Sequence, residues 1–323
     1  MSYDDLLRIL AGQKDTTIRQ QEPLCNHSTW RIGGPADLLL EPGSLEQLAR
    51  IIVFAKARDI PRIVIGKGSN LLFDDAGFRG VVIKIGRKLS RLAIDGTTVR
   101  AESGIAIPRL ARATGLSGLT GIEHTIGIPG TLGGLIVMNG GSQHKAIGDV
   151  ICSVEVMDHD GNTYRISKEK CGFSYRQSRF QNSDLIVVGA KMELQQGDPR
   201  LIRSEMLNIL RNRRAKLPRT LPNCGSVFKS SLDMYNTVGP PGKLIEQAGL
   251  KGLRIGNAQV SRKHANFIIN VGSATARDVL ELVARICARV HGELGVRMKC
   301  EARYVDASAG VLNLDEAICH EVP

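Results

Sequence analysis

The sequence predicts an α+β protein of two or three compact domains. Its 323 residues exceed the usual length of one domain. The order strand, helix, strand, loop, strand near the start fits a small α+β unit, and the last hundred residues fit a compact α+β domain. Pro218 and Pro222 bracket a break after a basic helical stretch, and we place a domain boundary there.

The first part of the chain predicts a small unit with the order helix, strand, helix, strand, loop, strand. Ser44 and Gln47 have capping-box spacing at the start of the second helix, and its apolar residues recur on one face. The predicted elements are a helix over 4–10, a strand over 37–41, a helix over 44–58 and strands over 62–65 and 81–85.

The middle and last parts predict further strands around a few helices. Asp160-Gly161 is typical of a hairpin turn. The predicted strands after it are 185–194, a turn and strand within 223–229, 266–270 and a closing strand over 296–305. The predicted helices are a turn from 108 to 114, a basic helix over 201–216, a helix over 242–248 and a long helix over 275–294.

The composition limits the classes of function. The formal net charge is +11, which fits either nucleic acid or anionic small ligands. Aromatic residues make up only 4% and do not interleave with Arg and Lys, so anionic substrates are favoured over base stacking. We find no signal-peptide pattern, membrane-spanning run or metal-ligand spacing, and we expect a cytoplasmic protein with reduced thiols and no metal.

Two glycine-rich stretches predict a cofactor site. Gly121–Gly141 holds seven glycines in 21 residues, and a second loop, Gly66-Lys67-Gly68-Ser69-Asn70, follows the strand at 62–65. Such loops let backbone amides approach phosphate or a flat ring, although tight turns between short strands are the simpler alternative. Neither stretch fits the Walker A or Rossmann pattern, so a dinucleotide or flavin would bind in another fold.

Three side chains are candidates for chemistry. Arg176 could bind a carboxylate or a developing enolate, or could merely stack on Tyr175 or Phe180. Ser226 could protonate a carbanion, or could be a turn serine bonded to its own backbone. Glu301 could help to polarise a substrate, or could be solvated or paired with Arg303.

Six motifs in order resemble the UDP-N-acetylenolpyruvoylglucosamine reductase family, over about residues 20–305. The combination is specific, although each glycine loop alone is weak. The motifs are Thr29-Trp30-Arg31-Ile32-Gly33-Gly34; Gly66-x-Gly68-Ser69-Asn70-Leu71-Leu72; Gly127-Ile128-Pro129-Gly130-Thr131-x-Gly133-Gly134 with Met138-Asn139; Tyr175-Arg176-x-Ser178-x-Phe180; Gly225-Ser226-x-Phe228-Lys229; and Lys243-Leu244-Ile245-Glu246-x-Ala248-Gly249-Leu250-Lys251-Gly252.

The resemblance implies a two-subdomain FAD-binding module of the vanillyl-alcohol-oxidase-like type and a C-terminal α+β substrate domain. The implied bounds are 1–19 for an N-terminal helix and linker, 20–86 and 87–216 for the subdomains, 217–307 for the substrate domain and 308–323 for a tail. It also implies peptidoglycan precursor synthesis, in which NADPH reduces non-covalent FAD. Flavin N5 would then give hydride to the methylene carbon of the enolpyruvyl UDP-sugar.

By family position, Ser226 would protonate the resulting carbanion, and Arg176 and Glu301 would stabilise the enolic form. Lys229, Lys243 and Glu246 would contact the UDP-sugar. The implied FAD contacts are Arg31, Gly66, Lys67, Gly68, Ser69, Asn70, Leu71, Ile128, Pro129, Gly130, Thr131, Gly133, Gly134, Asn139 and Gly140.

The sequence departs from the family pattern twice. Ser230-Ser231 stands where the family has Asn-Pro, and the stretch from Phe180 to Leu185 is too short for a substrate-covering tyrosine loop, as in the shorter type. Two other hypotheses remain: a related flavin oxidase of an alcohol or sugar, and a basic nucleotide- or RNA-binding protein without redox chemistry. We expect a monomer that acts on a UDP-sugar and binds neither nucleic acid nor membrane.

Overall fold

The computed structural model describes residues 3–11, 15–230, 232–308 and 310–321. The chain divides into two compact units, each made of separate stretches. The first unit comprises Met1–Arg19, Leu38–Lys67 and Val81–Arg213, and the second comprises Gln20–Asp37, Gly68–Gly80 and Arg214–Pro323. This division into units does not test the contiguous domains that the sequence predicts, and those domains remain predictions.

Helices lie in both units. In the described residues they are α1 (Asp4–Ala11), α2 (Leu45–Ala57), α3 (Ile107–Leu116), α4 (Leu132–Val137), α5 (Pro199–Lys216), α6 (Leu232–Thr237), α7 (Pro241–Gln247), α8 (Ala276–Leu294) and α9 (Leu314–Glu321). Each helix predicted from the sequence is present within a few residues of its expected bounds. Helix α4 was not predicted, because Gly133 and Gly134 break the apolar period there.

The strands are short, as the turn-rich pattern predicted. In the described residues they are β1 (Thr17–Pro23), β2 (Pro35–Glu41), β3 (Arg62–Ile65), β4 (Leu71–Phe73), β5 (Phe78–Lys84), β6 (Leu92–Asp95), β7 (Thr98–Glu102), β8 (Leu119–Thr120), β9 (Gly141–Ser142), β10 (Lys145–Ala146), β11 (Ile151–Met157), β12 (Thr163–Ser167), β13 (Ile186–Glu193), β14 (Gln195–Gln196), β15 (Arg254–Ile255), β16 (Ala258–Val260), β17 (Ile268–Asn270), β18 (Arg303–Asp306) and β19 (Gly310–Asn313).

An antiparallel sheet of five strands forms the centre of the first unit, in the order β12-β11-β13-β7-β6. The predicted Asp-Gly hairpin joins β11 to β12. There the amide of Gly161, at φ +79°, donates to Asp158 O at 3.1 Å. A four-stranded sheet runs β1-β2-β5-β3, with β3 and β5 parallel. Strand β3 therefore delivers the chain directly to Gly66.

Helix α2 packs its apolar face into the core of the first unit. Ser44 caps it, because Ser44 Oγ accepts from the Gln47 amide at 3.2 Å. The Gln47 side chain accepts from the Gly43 amide at 2.7 Å instead of completing the predicted capping box. The buried residues of α2 include Leu48 and Ile52, which share a core cluster with apolar residues of β2 and β5.

Helix α8 organises the second unit. Thr275 and Asp278 form a reciprocal capping box, with distances of 3.0 and 3.1 Å, and Gly295 at φ +67° ends the helix. Its predicted apolar face is buried and shares one core cluster with residues of the antiparallel sheet β15-β16-β17. Trp30 is fully buried in the same core and donates Nε1–H to Ile268 O at 2.8 Å.

The predicted closing strand over 296–305 is wrong for most of its length. Strand β18 covers only Arg303–Asp306, and a single bridge joins Phe228 to Cys300. The amide of Cys300 donates to the Asp315 carboxylate at 3.1 and 3.2 Å, so a side chain replaces a ladder partner. Glu301 therefore lies just before the strand and not inside it. Residues 223–229 likewise form a loop, not the strand predicted there, with this bridge and a second one between Asn223 and Ile269.

Among the described residues, none of the helices is long and apolar enough to span a bilayer. In the same part of the chain, no group of three or more His, Cys, Asp or Glu could hold a metal ion.

Candidate active site

In the first unit, the two glycine loops meet at Gly66. A Cβ on Gly66 would lie 2.3 Å from Thr131 Oγ1, a distance that no real side chain tolerates. Thr131 is the N-cap residue of α4, and its hydroxyl makes no capping bond. The exposed Lys67 follows directly in the chain. The two loops therefore pack closely against each other at a position that favours glycine.

The Gly130–Gly134 loop is fixed to the segment after β7 by backbone hydrogen bonds. Ile107 donates to Gly130 O at 3.1 Å, and Leu132 donates to Ile105 O at 3.0 Å. The amide of Gly133 donates to Ser103 O at 2.8 Å, and a Cβ on Gly133 would lie 2.9 Å from that of Ser103. Part of the glycine content thus serves protein packing, while Pro129 and Gly134 remain exposed and Ile128 half-buried.

Asn139, near the end of the glycine-rich stretch, holds the turn that carries Arg176. Asn139 is buried at φ +40°; its side chain donates to Ser174 O at 2.8 Å, and its Oδ1 accepts from the Gly148 amide at 3.0 Å. Gly140 donates to Leu135 O at 2.7 Å. The Asn139 side chain, predicted as a cofactor contact, is committed to holding the turn that carries Arg176.

Arg176 is at the tip of this turn, with a left-handed φ of +55°. Ser174 and Gln177 pair across the turn at 3.1 and 3.2 Å. The guanidinium donates from Nη2 to Gly141 O at 3.0 Å, and its Cζ lies 5.4 Å from the Tyr175 ring centroid. Gln181 Nε2 donates to Arg176 O at 2.8 Å. The guanidinium of Arg176 thus stacks on Tyr175, as one of the two alternatives predicted, and a hydrogen bond to the backbone also holds it in place.

Several polar groups near the glycine loop are buried without a hydrogen-bond partner among the described residues. They are Ser103 Oγ, Glu123 Oε1 and both ring nitrogens of His124. Burial, followed by the charge of Lys145, lowers the pKa of His124 below its ordinary value. Unsatisfied buried groups of this kind call for a polar ligand or water. Together with the glycine-only contact at Gly66, they fit a polar, phosphate-bearing cofactor such as FAD.

In the second unit, Arg31 and Gly68 lie on neighbouring segments. A Cβ on Gly68 would fall 2.1 Å from His27 O, and the Thr29 amide donates to Gly68 O at 3.4 Å. Arg31 has φ +56° and an exposed side chain, between the buried Trp30 and Ile32. The segment that carries Arg31 therefore lies against the loop at Gly68 within this unit.

Asn70 joins the glycine loop to the segment that bears Glu301. Asn70 Nδ2 donates to Glu301 O at 3.0 Å, and the Arg303 amide donates to Asn70 O at 3.0 Å. Leu71 then begins β4, which pairs in parallel with β18 through Leu71 and Arg303. Ser69 lies between Gly68 and Asn70 and is half-buried. The side chain of Asn70 thus binds protein backbone at the point where the loop meets a candidate catalytic segment.

Ser226 lies on a loop next to the Glu301 segment. The Glu301 amide donates to Val227 O at 2.7 Å, so the two candidates are carried by hydrogen-bonded neighbouring segments. Gly225 precedes the serine at φ +90°, and its amide donates to Asn223 Oδ1 at 3.0 Å. The Ser226 hydroxyl is half-buried and has no hydrogen-bond partner in the described part of the chain. The backbone-bonded turn serine is therefore not what the structure contains.

Asn266 holds this loop and was not singled out from the sequence. Its side chain accepts from the Phe228 amide and donates to Phe228 O, both at 2.9 Å, and its carbonyl accepts from the Val227 amide at 2.9 Å. Asn266 is only 4% exposed. A polar residue within the apolar run that leads into β17 was the available signal.

Asn266→Ala should lower the free energy of unfolding by about 2–4 kcal/mol, because it leaves two buried backbone groups of Phe228 unpaired. Urea denaturation measures this loss. Asn208→Ala, an exposed asparagine on α5, is the matched control and should change stability by less than about 0.5 kcal/mol. Equal stability of the two variants would show that the Asn266 amide does not hold the loop.

Cys224 and His264 flank this site without a catalytic environment. Burial, and then the charge of Glu301, raises the pKa of the Cys224 thiol far above its ordinary value, so the thiol stays protonated. His264 Nδ1 accepts from the Asn266 amide at 3.3 Å, and burial lowers its pKa. His264 therefore supports the loop.

The predicted UDP-sugar contacts are spread over the second unit. Lys229 is half-buried, and its amide donates to Lys299 O at 2.8 Å. Lys243 is exposed at the start of α7. Glu246 is exposed and pairs with Lys251 at 2.6 Å, so its carboxylate already has a cationic partner.

Comparison with known proteins finds two matching families. Residues 36–167 match the FAD binding domain family, and residues 217–305 match the family described as UDP-N-acetylenolpyruvoylglucosamine reductase, C-terminal domain. The fold and the glycine loops thus define an FAD-binding oxidoreductase class with a separate C-terminal domain.

Relatives that match over most of their length identify the family. The chain is 42% identical to UDP-N-acetylenolpyruvoylglucosamine reductase 1 of Corynebacterium glutamicum, over 94% of this chain and 91% of that protein. It is 41% identical to the reductase of Syntrophomonas wolfei, over 94% and 99% of the two chains. A crystal structure of the Thermus caldophilus reductase aligns with a TM-score of 0.76 and 32% identity, over 90% and 99% of the chains. The chain belongs to the UDP-N-acetylenolpyruvoylglucosamine reductase family.

Proposed function

We propose that this protein uses NADPH to reduce the enolpyruvyl group of UDP-N-acetylglucosamine enolpyruvate to the lactyl ether. The product, UDP-N-acetylmuramate, is a precursor of peptidoglycan. FAD, when bound, accepts hydride from NADPH and passes it to the substrate. The chain supplies the cofactor site, the groups that bind the substrate carboxylate and the proton.

One observation carries the proposal beyond family membership. The last residues of a cofactor loop are hydrogen-bonded to the segment that bears a candidate catalytic carboxylate, through Asn70 and Glu301 at 3.0 Å. That segment is in turn hydrogen-bonded to the Ser226 loop. The end of a proposed cofactor loop, the proposed proton donor and the proposed catalytic carboxylate are thus carried by hydrogen-bonded segments of the second unit, which supports the proposal.

The proposed steps assign one role to each candidate. Hydride delivered to the methylene carbon leaves the neighbouring carbon as a carbanion beside the carboxylate. Ser226 donates its hydroxyl proton to that carbon, and a hydroxyl without a hydrogen-bond partner among the described residues supports this role. Arg176 binds the carboxylate and stabilises the enolic form through a planar, charge-assisted contact. Glu301 assists in polarising the substrate.

The proposed FAD contacts are the residues that the family motifs supply. They are Arg31, Gly66, Lys67, Gly68, Ser69, Leu71, Ile128, Pro129, Gly130, Thr131, Gly133, Gly134 and Gly140. Asn70 and Asn139 act through the backbone that they hold. Lys229, Lys243 and Glu246 are the proposed UDP-sugar contacts. We propose a cytoplasmic monomer that binds neither nucleic acid nor membrane.

An anaerobic absorbance experiment tests the reaction. Purified protein loaded with FAD should show a flavin band that bleaches on addition of NADPH and returns on addition of UDP-N-acetylglucosamine enolpyruvate. UDP-N-acetylglucosamine, which lacks the enolpyruvyl group, is the control and should leave the band bleached. Acid-denatured protein should release its flavin, because the cofactor is not covalently attached.

Three other outcomes would contradict the proposal. A band that NADPH does not bleach would exclude the donor, and a bleached band that the enolpyruvyl sugar does not restore would exclude the acceptor. Colour that stays with the denatured protein would favour an oxidase with tethered flavin.

A further inference from the structure

A cavity of about 740 Å³ in the second unit contains four cationic side chains. They are Arg214, Arg219, Arg262 and Lys263, and we call this pocket the basic cavity. None of the described residues that line it is a carboxylate. All four cations are exposed at its surface. The proposed function has not used any of them.

The backbone that carries these cations is fixed. Asn223 Nδ2 donates to both Pro218 O and Leu221 O at 2.8 Å, which holds the loop that bears Arg219. Lys263 Nζ donates to Arg214 O at 2.7 Å, and this bond joins the two walls of the cavity. The cavity is therefore shaped before any ligand arrives.

Arg262 lies against a glycine. A Cβ on Gly252 would lie 3.0 Å from Arg262 Cζ and 3.1 Å from Nε, and Gly252 has φ +82°. The guanidinium thus packs directly over a backbone that has no side chain. Lys263 is already engaged with Arg214 O, whereas Arg219 and Arg262 keep planar guanidinium groups for a bidentate contact with an oxyanion.

The cavity carries more positive charge than is needed to neutralise a single diphosphate. Four like charges in one cavity repel one another and attract polyanions. The diphosphate of a UDP-sugar carries about two negative charges. NADPH carries the same diphosphate charge and, in addition, a phosphate monoester with about −1.5 to −2 at neutral pH. NADH lacks that monoester.

The cavity also offers an apolar surface and sufficient room for a nucleoside. Leu217, Pro218, Leu221 and Ile269 line it beside the cations. Its volume falls within the range of about 300–1,000 Å³ that is usual for small-molecule sites. An adenine ring can contact the apolar residues while its ribose phosphate faces the arginines.

We propose that the basic cavity binds the phosphate-bearing adenosine end of the hydride donor, with Arg219 and Arg262 on the 2′-phosphate, and so selects NADPH over NADH. The inference rests on the proposed function, in which a nicotinamide nucleotide reduces the flavin. It adds the residues that decide which nucleotide is used.

The test follows flavin reduction under anaerobic conditions with NADPH and with NADH, in the FAD-loaded wild type and in Arg219→Gln, Arg262→Gln and the double variant. Each single change should raise the half-saturating NADPH concentration roughly 10-fold to 100-fold, as expected for loss of a charge-assisted contact. The half-saturating NADH concentration should change less than about twofold, since NADH has no 2′-phosphate to lose contact with. Arg285→Gln, an exposed arginine of α8 outside the cavity, removes the same charge and should leave both values unchanged.

Equal effects on NADPH and NADH, or no effect on either, would overturn the inference. So would an effect confined to reoxidation by UDP-N-acetylglucosamine enolpyruvate, which would assign the cavity to the sugar nucleotide. Failure of the proposed function is distinguishable, because it appears as wild-type flavin that the enolpyruvyl sugar does not reoxidise. The NADPH to NADH comparison uses only the reductive half-reaction.

Discussion

Ser226→Ala should leave the reduction of bound flavin by NADPH nearly unchanged and slow its reoxidation by UDP-N-acetylglucosamine enolpyruvate by several orders of magnitude. The hydroxyl acts only after hydride transfer, as the proton source for the carbanion, and general acid catalysis contributes about 10²–10⁴-fold. The hydroxyl makes no structural hydrogen bond in the described residues, so its removal should not disturb the loop. Stopped-flow absorbance of the two half-reactions measures both rates.

Ser230→Ala is the matched control for this prediction, since Ser230 is a half-buried serine four residues further along the same segment. It should retain both half-reactions. Equal loss of both half-reactions in Ser226→Ala would assign the hydroxyl to cofactor placement instead. Unchanged reoxidation would remove Ser226 as the proton donor.

Local signals in the sequence predicted most of the elements. Ser44 and Thr275 cap the helices that they were expected to begin, and the Asp-Gly pair forms the expected hairpin. The glycine loops were also predictable, because Gly66 and Gly68 each lie where a Cβ would collide with Thr131 or with the His27 backbone. These features depend on residues close in sequence or on a glycine at a position where any side chain would collide with its surroundings.

The errors occur where distant side chains replace backbone partners. Asp315 binds the Cys300 amide, and Asn266 binds both backbone groups of Phe228, so the predicted strands around Glu301 and Ser226 are loops. Neither contact produces a periodic pattern of apolar residues that could be recognised in the sequence. The chain also passes from one compact unit to the other near residues 19, 37, 67 and 80. These points lie within or beside strands, and the sequence shows no break there.

The sequence supplies candidate residues for the site but not the contacts that hold them. Motif order supplied Arg176, Ser226 and Glu301, but the roles of Asn70, Asn139 and Gln181 in holding them come from side chain to backbone bonds. An amide side chain has the same appearance in a sequence whether it binds a cofactor or a carbonyl. Asn139 illustrates this, since it was expected to bind FAD and holds Ser174 O.

Arg176→Lys should slow reoxidation by the enolpyruvyl substrate about 10²–10³-fold, as for loss of a preorganised group that stabilises developing charge. Lysine keeps the positive charge and loses the planar fork. It also loses the bond from the guanidinium to Gly141 O, which holds the side chain at 3.0 Å from that oxygen. Flavin reduction by NADPH should stay within a few-fold of wild type, since Arg176 acts on the substrate carboxylate.

Arg179→Lys separates this role from a general effect of charge in the same loop. Arg179 is exposed and donates from Nη1 to Lys170 O at 3.1 Å, so it matches Arg176 in type and neighbourhood. Both half-reactions should survive in Arg179→Lys. If Arg176→Lys reoxidised at the wild-type rate, the stacking of Arg176 on Tyr175 would be its main role, because a point charge would then serve as well as the fork. A defect shared by both half-reactions would instead place Arg176 on the flavin.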